Sequence, residues 1–189
     1  MKKVIVLTIK SIAFSLSLFF VSCGSEPKEI EKTTFLEKRV YTAEDSVVDV
    51  YIRTKGEAHG GSYFSRTDSS CQYGIGTFYT INDTTLNKDL RVKVNFWARS
   101  NQAAPACVYA VALHDGDNIV LWNEIKMDKY IVEPNKWVNI VDSVTIPGNL
   151  INKPGLVVKT FSYNTLKNLV FDGDDLELNF LNVRKETVE

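Results

Sequence analysis

Apolar and polar residues alternate along most of the chain beyond position 46. Arg91–Arg99 is the clearest stretch. Val92, Val94, Phe96 and Ala98 point one way, and Arg91, Lys93, Asn95, Trp97 and Arg99 point the other, which is the period of a half-buried strand. Val47–Thr54 and Tyr73–Ile81 alternate as well. Cys107–His114, Ile119–Met127, Trp137–Ile146, Gly155–Tyr163 and Leu169–Val183 complete the predicted strands. Turn formers stand between the runs: Asn82-Asp83, Asp115-Gly116-Asp117-Asn118, Glu133-Pro134-Asn135, Pro147-Gly148-Asn149 and Asp172-Gly173-Asp174. Helical periodicity and internal repeats are absent. Short strands at this spacing predict an all-β chain folded as an antiparallel β-sandwich.

The N-terminus follows a different pattern. Lys2 and Lys3 precede an apolar run from Val4 to Val21, and small Ser22 precedes Cys23. Charge, apolar core and small residue in that order describe an export signal over residues 1–22, expected to be helical. Lys10 and several serines interrupt the run, against a permanent span of ~20 mostly apolar residues. The stretch Phe19-Phe20-Val21-Ser22-Cys23-Gly24 resembles the lipobox of bacterial lipoproteins, with Phe20 where leucine is usual. That resemblance implies cleavage before Cys23, acylation of Cys23, anchoring in a lipid bilayer, and residence in the cell envelope as an outer-membrane lipoprotein. Whether such a domain faces the periplasm or the cell surface is left open. Residues 24–34 are polar and lack a packing pattern. They read as a tether, placing the boundaries at 23–35 for lipidated cysteine and tether and 36–189 for the folded domain.

Composition narrows the function classes. Residues 1–22 hold three lysines and no acid, so the remaining 167 residues carry −4 against −1 for the whole chain. A mildly acidic domain excludes nucleic acid as the expected partner. Cys71 and Cys107 either pair or remain thiols. A bond would close a loop of about 37 residues and stabilise the fold by ~4 kcal/mol in the chain-entropy view. No zinc-spaced Cys/His cluster, H-x-x-x-H or G-x-S-x-G occurs. The histidines, His59 and His114, stand apart in sequence, and a non-catalytic role is expected.

Three segments resemble jelly-roll domains of Bacteroidetes surface proteins, which are similar to carbohydrate-binding modules. Ala58-His59-Gly60-Gly61-Ser62-Tyr63-Phe64-Ser65 resembles an "A-H-S-G-x-Y-S" segment. Trp137-Val138-Asn139-Ile140 before Val144-Thr145-Ile146-Pro147 resembles "W-x-x-V … L-P". Leu156–Asn164 with Phe171-Asp172-Gly173-Asp174-Asp175-Leu176 resembles the closing pair, although Ser162-Tyr163-Asn164 lacks the tryptophan often seen before the asparagine. The likeness covers roughly residues 40–183 and implies a sandwich of jelly-roll type. It also implies a structural calcium ion, a hard cation needing six to eight oxygens. Glu44 or Asp45, the Gly60–Tyr63 turn, and Asp174 or Asp175 occupy the matching places.

A glycan is the leading ligand expectation. Sugars offer flat C–H faces ringed by hydroxyls, which exposed aromatic rings beside polar groups can satisfy together. Strand parity puts Trp97 outward with Arg91, Lys93, Asn95 and Arg99. Phe161 and Tyr163 share a face and are expected to extend that surface. Trp122, Tyr130 and Trp137 are weaker candidates, with Trp122 and Trp137 read as covering core edges. The competing expectation is docking of another envelope protein on the exposed sheet face. Asp45-Ser46-Val47, Asp83-Thr84-Thr85 and Asp142-Ser143-Val144 also resemble the short O-glycosylation acceptor of Bacteroidetes.

Overall fold

The computed structural model describes residues 28–44 and 53–188. Cys23, the export segment, Asp45 and positions 46–52 lie outside them. The described residues form β1 (Lys28–Tyr41), β2 (Arg53–Lys55), β3 (Tyr63–Thr67), β4 (Tyr73–Thr80), β5 (Asp89–Ser100), β6 (Val108–Asp115), β7 (Asn118–Lys126), β8 (Val138–Ile146), β9 (Val157–Tyr163) and β10 (Phe171–Val188), with one 3₁₀ turn at Gly148–Leu150.

Two antiparallel sheets face each other. Sheet A runs β2-β3-β10-β5-β8, with β1 also paired to β10, and sheet B runs β4-β9-β6-β7. The orders 3-10-5-8 and 4-9-6-7 are those of a jelly roll, in which the chain crosses between sheets after most strands. Alternation explains why: each sheet has one apolar face, and only face-to-face packing takes both from water. Val92, Val94, Phe96 and Ala98 are all at most 1% exposed, as their parity predicts. Across the core Phe96 meets Tyr109 at 5.0 Å between ring centroids, and Tyr79 stacks on Phe180 at 4.5 Å.

Two local expectations change, and one open alternative is decided. The tether gives way at Lys28, because residues 28–34 are the first half of β1, paired with β10 as far as Val188. Their polarity suits a strand held by backbone pairing and by ions: Lys32–Glu186 at 2.5 Å, Lys38–Glu177 at 2.8 Å and Arg91–Glu31 at 2.9 Å. Charged side chains on an edge strand also discourage pairing with other chains. Asp172-Gly173-Asp174 is strand, not turn, lying between β3 and β5 within β10. Polar residues can stay in a central strand here because Asp172 is met by two arginines and Asp174 by backbone N–H groups. Irregularity comes afterwards, as a register shift between Asp174 and Glu177, where Asp175 has φ +49°. Finally, Cys71 and Cys107 are free thiols. Cys71 lies before β4 and donates to the Tyr73 carbonyl at 3.2 Å, while burial pushes the Cys107 thiol up to about 12.

Candidate functional site

The outer face of sheet A holds the tryptophan that parity turned outward, half-buried and with a ring laid over one face. The β2–β3 loop brings His59 over Trp97, with ring centroids 3.7 Å apart and planes 11° apart. His59 Nδ1 lies 2.9 Å from Asp175 Oδ2, which holds the imidazole in that stack. Beside it, Asp172 is 3% exposed and accepts from Arg66 Nε, Arg66 Nη2 and Arg99 Nε at 2.8–3.0 Å. The Arg99 guanidinium lies 4.6 Å from the Trp137 ring centre and 5.0 Å from that of Phe64. Phe64 is 2% exposed although its alternation directs it away from the main core. These groups make a second, smaller packed layer on the outside of the sheet.

Two more residues of that row are engaged. Arg91 pairs with Glu31 and donates to Thr145, and Asn95 Oδ1 accepts from Asn139 Nδ2 at 2.9 Å. Lys93 is exposed. A sugar needs an open ring face, and His59 occupies one face of Trp97.

Of the residues expected to hold calcium, Glu44, Asp174 and Asp175 lie against the 59–63 turn, and Asp45 falls outside the described residues. Glu44 Oε1 accepts from the backbone of Ser62 and Tyr63, each at 2.6 Å. Asp174 Oδ2 accepts from His59 N at 3.0 Å and Gly60 N at 3.1 Å, and its Oδ1 from Asp175 N. The turn is gripped from both sides. Gly60 and Gly61 allow the approach: a Cβ on Gly60 would lie 2.8 Å from Asp175 Oδ2, and Gly61 has φ +77°. Among the described residues no three Asp, Glu, His or Cys side chains converge to hold a metal ion. The carboxylates present meet N–H donors, whereas a calcium cage is built of convergent oxygens. The donor set fits a hydrogen-bonded clamp better than a cation site. Burial, with the adjacent Asp175 charge adding to it, pushes the Asp174 carboxyl above its ordinary range against the pull of its three N–H donors.

Phe161 and Tyr163 lie on β9, in sheet B, on the far side of the sandwich from Trp97. The two candidate groups are therefore separate surfaces. On sheet B the two rings are joined by Tyr73 of β4 and Trp122 of β7. Tyr73 meets Phe161 at 5.5 Å and Tyr163 at 5.2 Å. Trp122 meets Phe161 at 5.7 Å and Tyr163 at 5.9 Å. Between β9 and β7 runs β6, where Ala110 pairs with Phe161 and Ala112 with Trp122. Both alanines are fully buried, because small residues there let the indole lie across β6 to reach β9. The four rings span sheet B from edge strand to edge strand, about 14 Å at ordinary strand spacing.

The cluster stays open to solvent in part: Tyr73 is 48% exposed and the other three rings are half-buried. Polar groups flank it. Lys159 pairs with Ala112 and is exposed, and Glu124 accepts from Trp122 Nε1 at 2.8 Å. His114 lies on the same face beyond Ala112 and is 9% exposed. Neither of its ring nitrogens has a hydrogen-bond partner. Burial, then the Lys159 charge, holds its imidazole below the ordinary histidine range.

Trp122 and Tyr73 are the residues that sequence reasoning undervalued. Ile119, Val120 and Leu121 form an unbroken apolar run that hides the parity of β7. The signal lay at the other end of the strand: Ile125 and Met127 are buried, so Trp122, Glu124 and Lys126 share the outer face. Trp137 packs in the outer layer on sheet A instead of at a core edge, against Phe64 at 6.1 Å. Tyr130 donates its hydroxyl to Asp142 at 2.6 Å.

No protein-family model matches the chain, and no curated protein matches it in sequence. Solved structures with a similar backbone include the VP2 subviral particle of infectious bursal disease virus, 15% identical with a TM-score of 0.44. That match covers 82% of this chain but 38% of VP2, so this chain spans about two fifths of the viral protein. TmCBM61 in complex with β-1,4-galactotriose is 15% identical with a TM-score of 0.37, over 80% of this chain and 90% of that one. The CBM22-2 xylan-binding domain from Paenibacillus barcinonensis Xyn10C is 17% identical with a TM-score of 0.39, over 75% and 89% of the two chains.

Proposed function

We propose that this chain is a non-catalytic glycan-binding module whose binding face is the outer surface of sheet B, held at the cell envelope by an acylated Cys23. The observation that carries the reading is the four-ring cluster of Tyr73, Phe161, Tyr163 and Trp122, solvent-facing on a floor of small residues. The exposed parts of these rings offer apolar surface to the C–H faces of a sugar, and Lys159 and Glu124 stand where hydroxyls would need partners. Trp97, with one face already stacked on His59, takes no part in binding.

Affinity electrophoresis against a panel of soluble polysaccharides tests this with wild type, Trp122→Ala, Phe161→Ala and Trp97→Ala. Retardation by at least one polysaccharide is expected for wild type and Trp97→Ala, and its loss for the other two. Exposed Phe78 on the same face enlarges the apolar area, which favours protein docking as the second reading. If no polysaccharide retards the wild type, docking takes the lead. Membrane anchoring has its own test: Cys23→Ser should move the protein from the detergent phase to the aqueous phase.

A further inference from the structure

At the far end of β10 from Asp174, a groove of about 800 Å³ opens between β1, the last residues of β10 and the β4–β5 connection. It is separate from the ring cluster, and nothing in the proposed function uses it. Its volume lies in the range of small-molecule sites, far above what a single inorganic anion fills.

Three features of the lining define its chemistry. First, Asn182 is 8% exposed; its Nδ2 donates to the Thr84 carbonyl at 3.1 Å, while its Oδ1 is buried with no hydrogen-bond partner. A buried acceptor without a donor is rare in folded proteins and calls for an explanation. Second, Lys32, Lys88, Arg184 and Lys185 line the groove against two acids, Asp89 and Glu186. Both acids are engaged, Asp89 by Gly148 N at 2.7 Å and Glu186 by Lys32 at 2.5 Å and Arg184 Nε at 3.9 Å, and Lys185 faces Glu29 at 3.6 Å. Lys88 Nζ reaches the neutral Thr84 carbonyl at 2.8 Å, and the Arg184 side chain is 81% exposed. The lining keeps more cations than acids, and Lys88 is the one bonded to a neutral carbonyl instead of a carboxylate. Third, Leu36, Leu86 and Val183 contribute apolar wall.

We propose that this groove binds an acidic saccharide, a sugar bearing a carboxylate or sulfate. A hydroxyl supplies the donor that Asn182 Oδ1 lacks once the amide turns out toward the groove. The anionic group meets Lys88 and Arg184, and the ring's C–H surface lies against the leucines. Charge-assisted hydrogen bonds of this kind are the strong ones, and a guanidinium suits a planar carboxylate.

Isothermal titration calorimetry with a galacturonate trimer, and with the neutral galactose trimer as control, tests it. Wild type is expected to bind the acidic trimer about tenfold tighter than the neutral one, and to lose that advantage when salt is raised well above 0.15 M. The double variant Lys88→Ala/Arg184→Ala changes exposed side chains and keeps the fold, and it should lose about tenfold in affinity. Trp122→Ala should leave acidic-trimer binding unchanged, whatever becomes of the sheet B reading. Equal binding of both trimers, undiminished binding by the double variant, or loss in Trp122→Ala alone would overturn the assignment. So would vesicles containing phosphatidylglycerol that bind wild type but not the double variant while the trimer binds neither; the groove would then hold a lipid headgroup.

Discussion

The outer faces of the two sheets carry similar residue types and end in opposite states. On sheet A, a tryptophan, a phenylalanine and two arginines are drawn into a packed layer by the β2–β3 loop and by Asp172. On sheet B, a tryptophan, a phenylalanine and two tyrosines pack only edge-on or tilted against each other, with Tyr73 48% exposed and no ring stacked face to face on them. Alternation says that a side chain points away from the core. It does not say whether another segment then covers it. A loop with two adjacent glycines and a buried acid to grip it built one face into a packed layer, and among the described residues no such loop lies over the four rings of the other.

The contrast can be tested in decreasing order of effect. Asp172→Ala removes the shared acceptor of two partly buried arginines. A loss of ~3–5 kcal/mol is expected by urea unfolding, as for other buried ion pairs missing one partner. A loss below ~1 kcal/mol would mean that the sheet A layer is not held by this carboxylate. Next, the two tryptophans should separate stability from binding. Trp97→Ala should cost ~2 kcal/mol through the lost ring stack and buried area, with polysaccharide affinity unchanged. Trp122→Ala should weaken polysaccharide binding about tenfold, or ~1.4 kcal/mol. Reversal of these two outcomes would move the binding face to sheet A.

Acid and base should affect the faces in opposite senses. His114 on sheet B has its folded-state pKa lowered from 6.5. Its favourable contribution is therefore present above 6.5 and is lost as the pH falls through the folded value. His114→Gln should flatten that decline in urea melts taken from neutral to mildly acidic pH. Asp174 on sheet A has its folded-state pKa raised from 3.8. Its contribution is favourable below 3.8 and is lost as the pH rises through the folded value. Asp174→Asn should remove that slope, and an unchanged profile in either variant would contradict the burial argument for it. The smallest effect expected is that of chelation. With Glu44 and Asp174 already accepting from backbone N–H groups, EDTA should leave the melting temperature unmoved. A fall reversed by calcium would show that a cation completes the clamp.

The residues of β5 show how far the sequence alone reaches. Its alternation assigned Val92, Val94, Phe96 and Ala98 to the core and the charged row to the outside, and every one of those directions holds, because the period of a strand is a local property of the backbone. The same local logic located the strands from β4 to β10 and predicted a two-layer antiparallel sandwich. It failed at β1, whose polar residues are stabilised by pairing with β10 nearly 150 positions away. It also failed to separate Trp97 from Phe161, since parity within one strand cannot say to which sheet that strand belongs. The sequence by itself determined the direction of each side chain relative to its own strand, and therefore the core. Only the tertiary structure decided which outward rings meet each other and which are covered. Those outcomes depend on strand order, on the crossing of the 59–63 turn, and on two alanines in β6 that let Trp122 reach its neighbours across a strand.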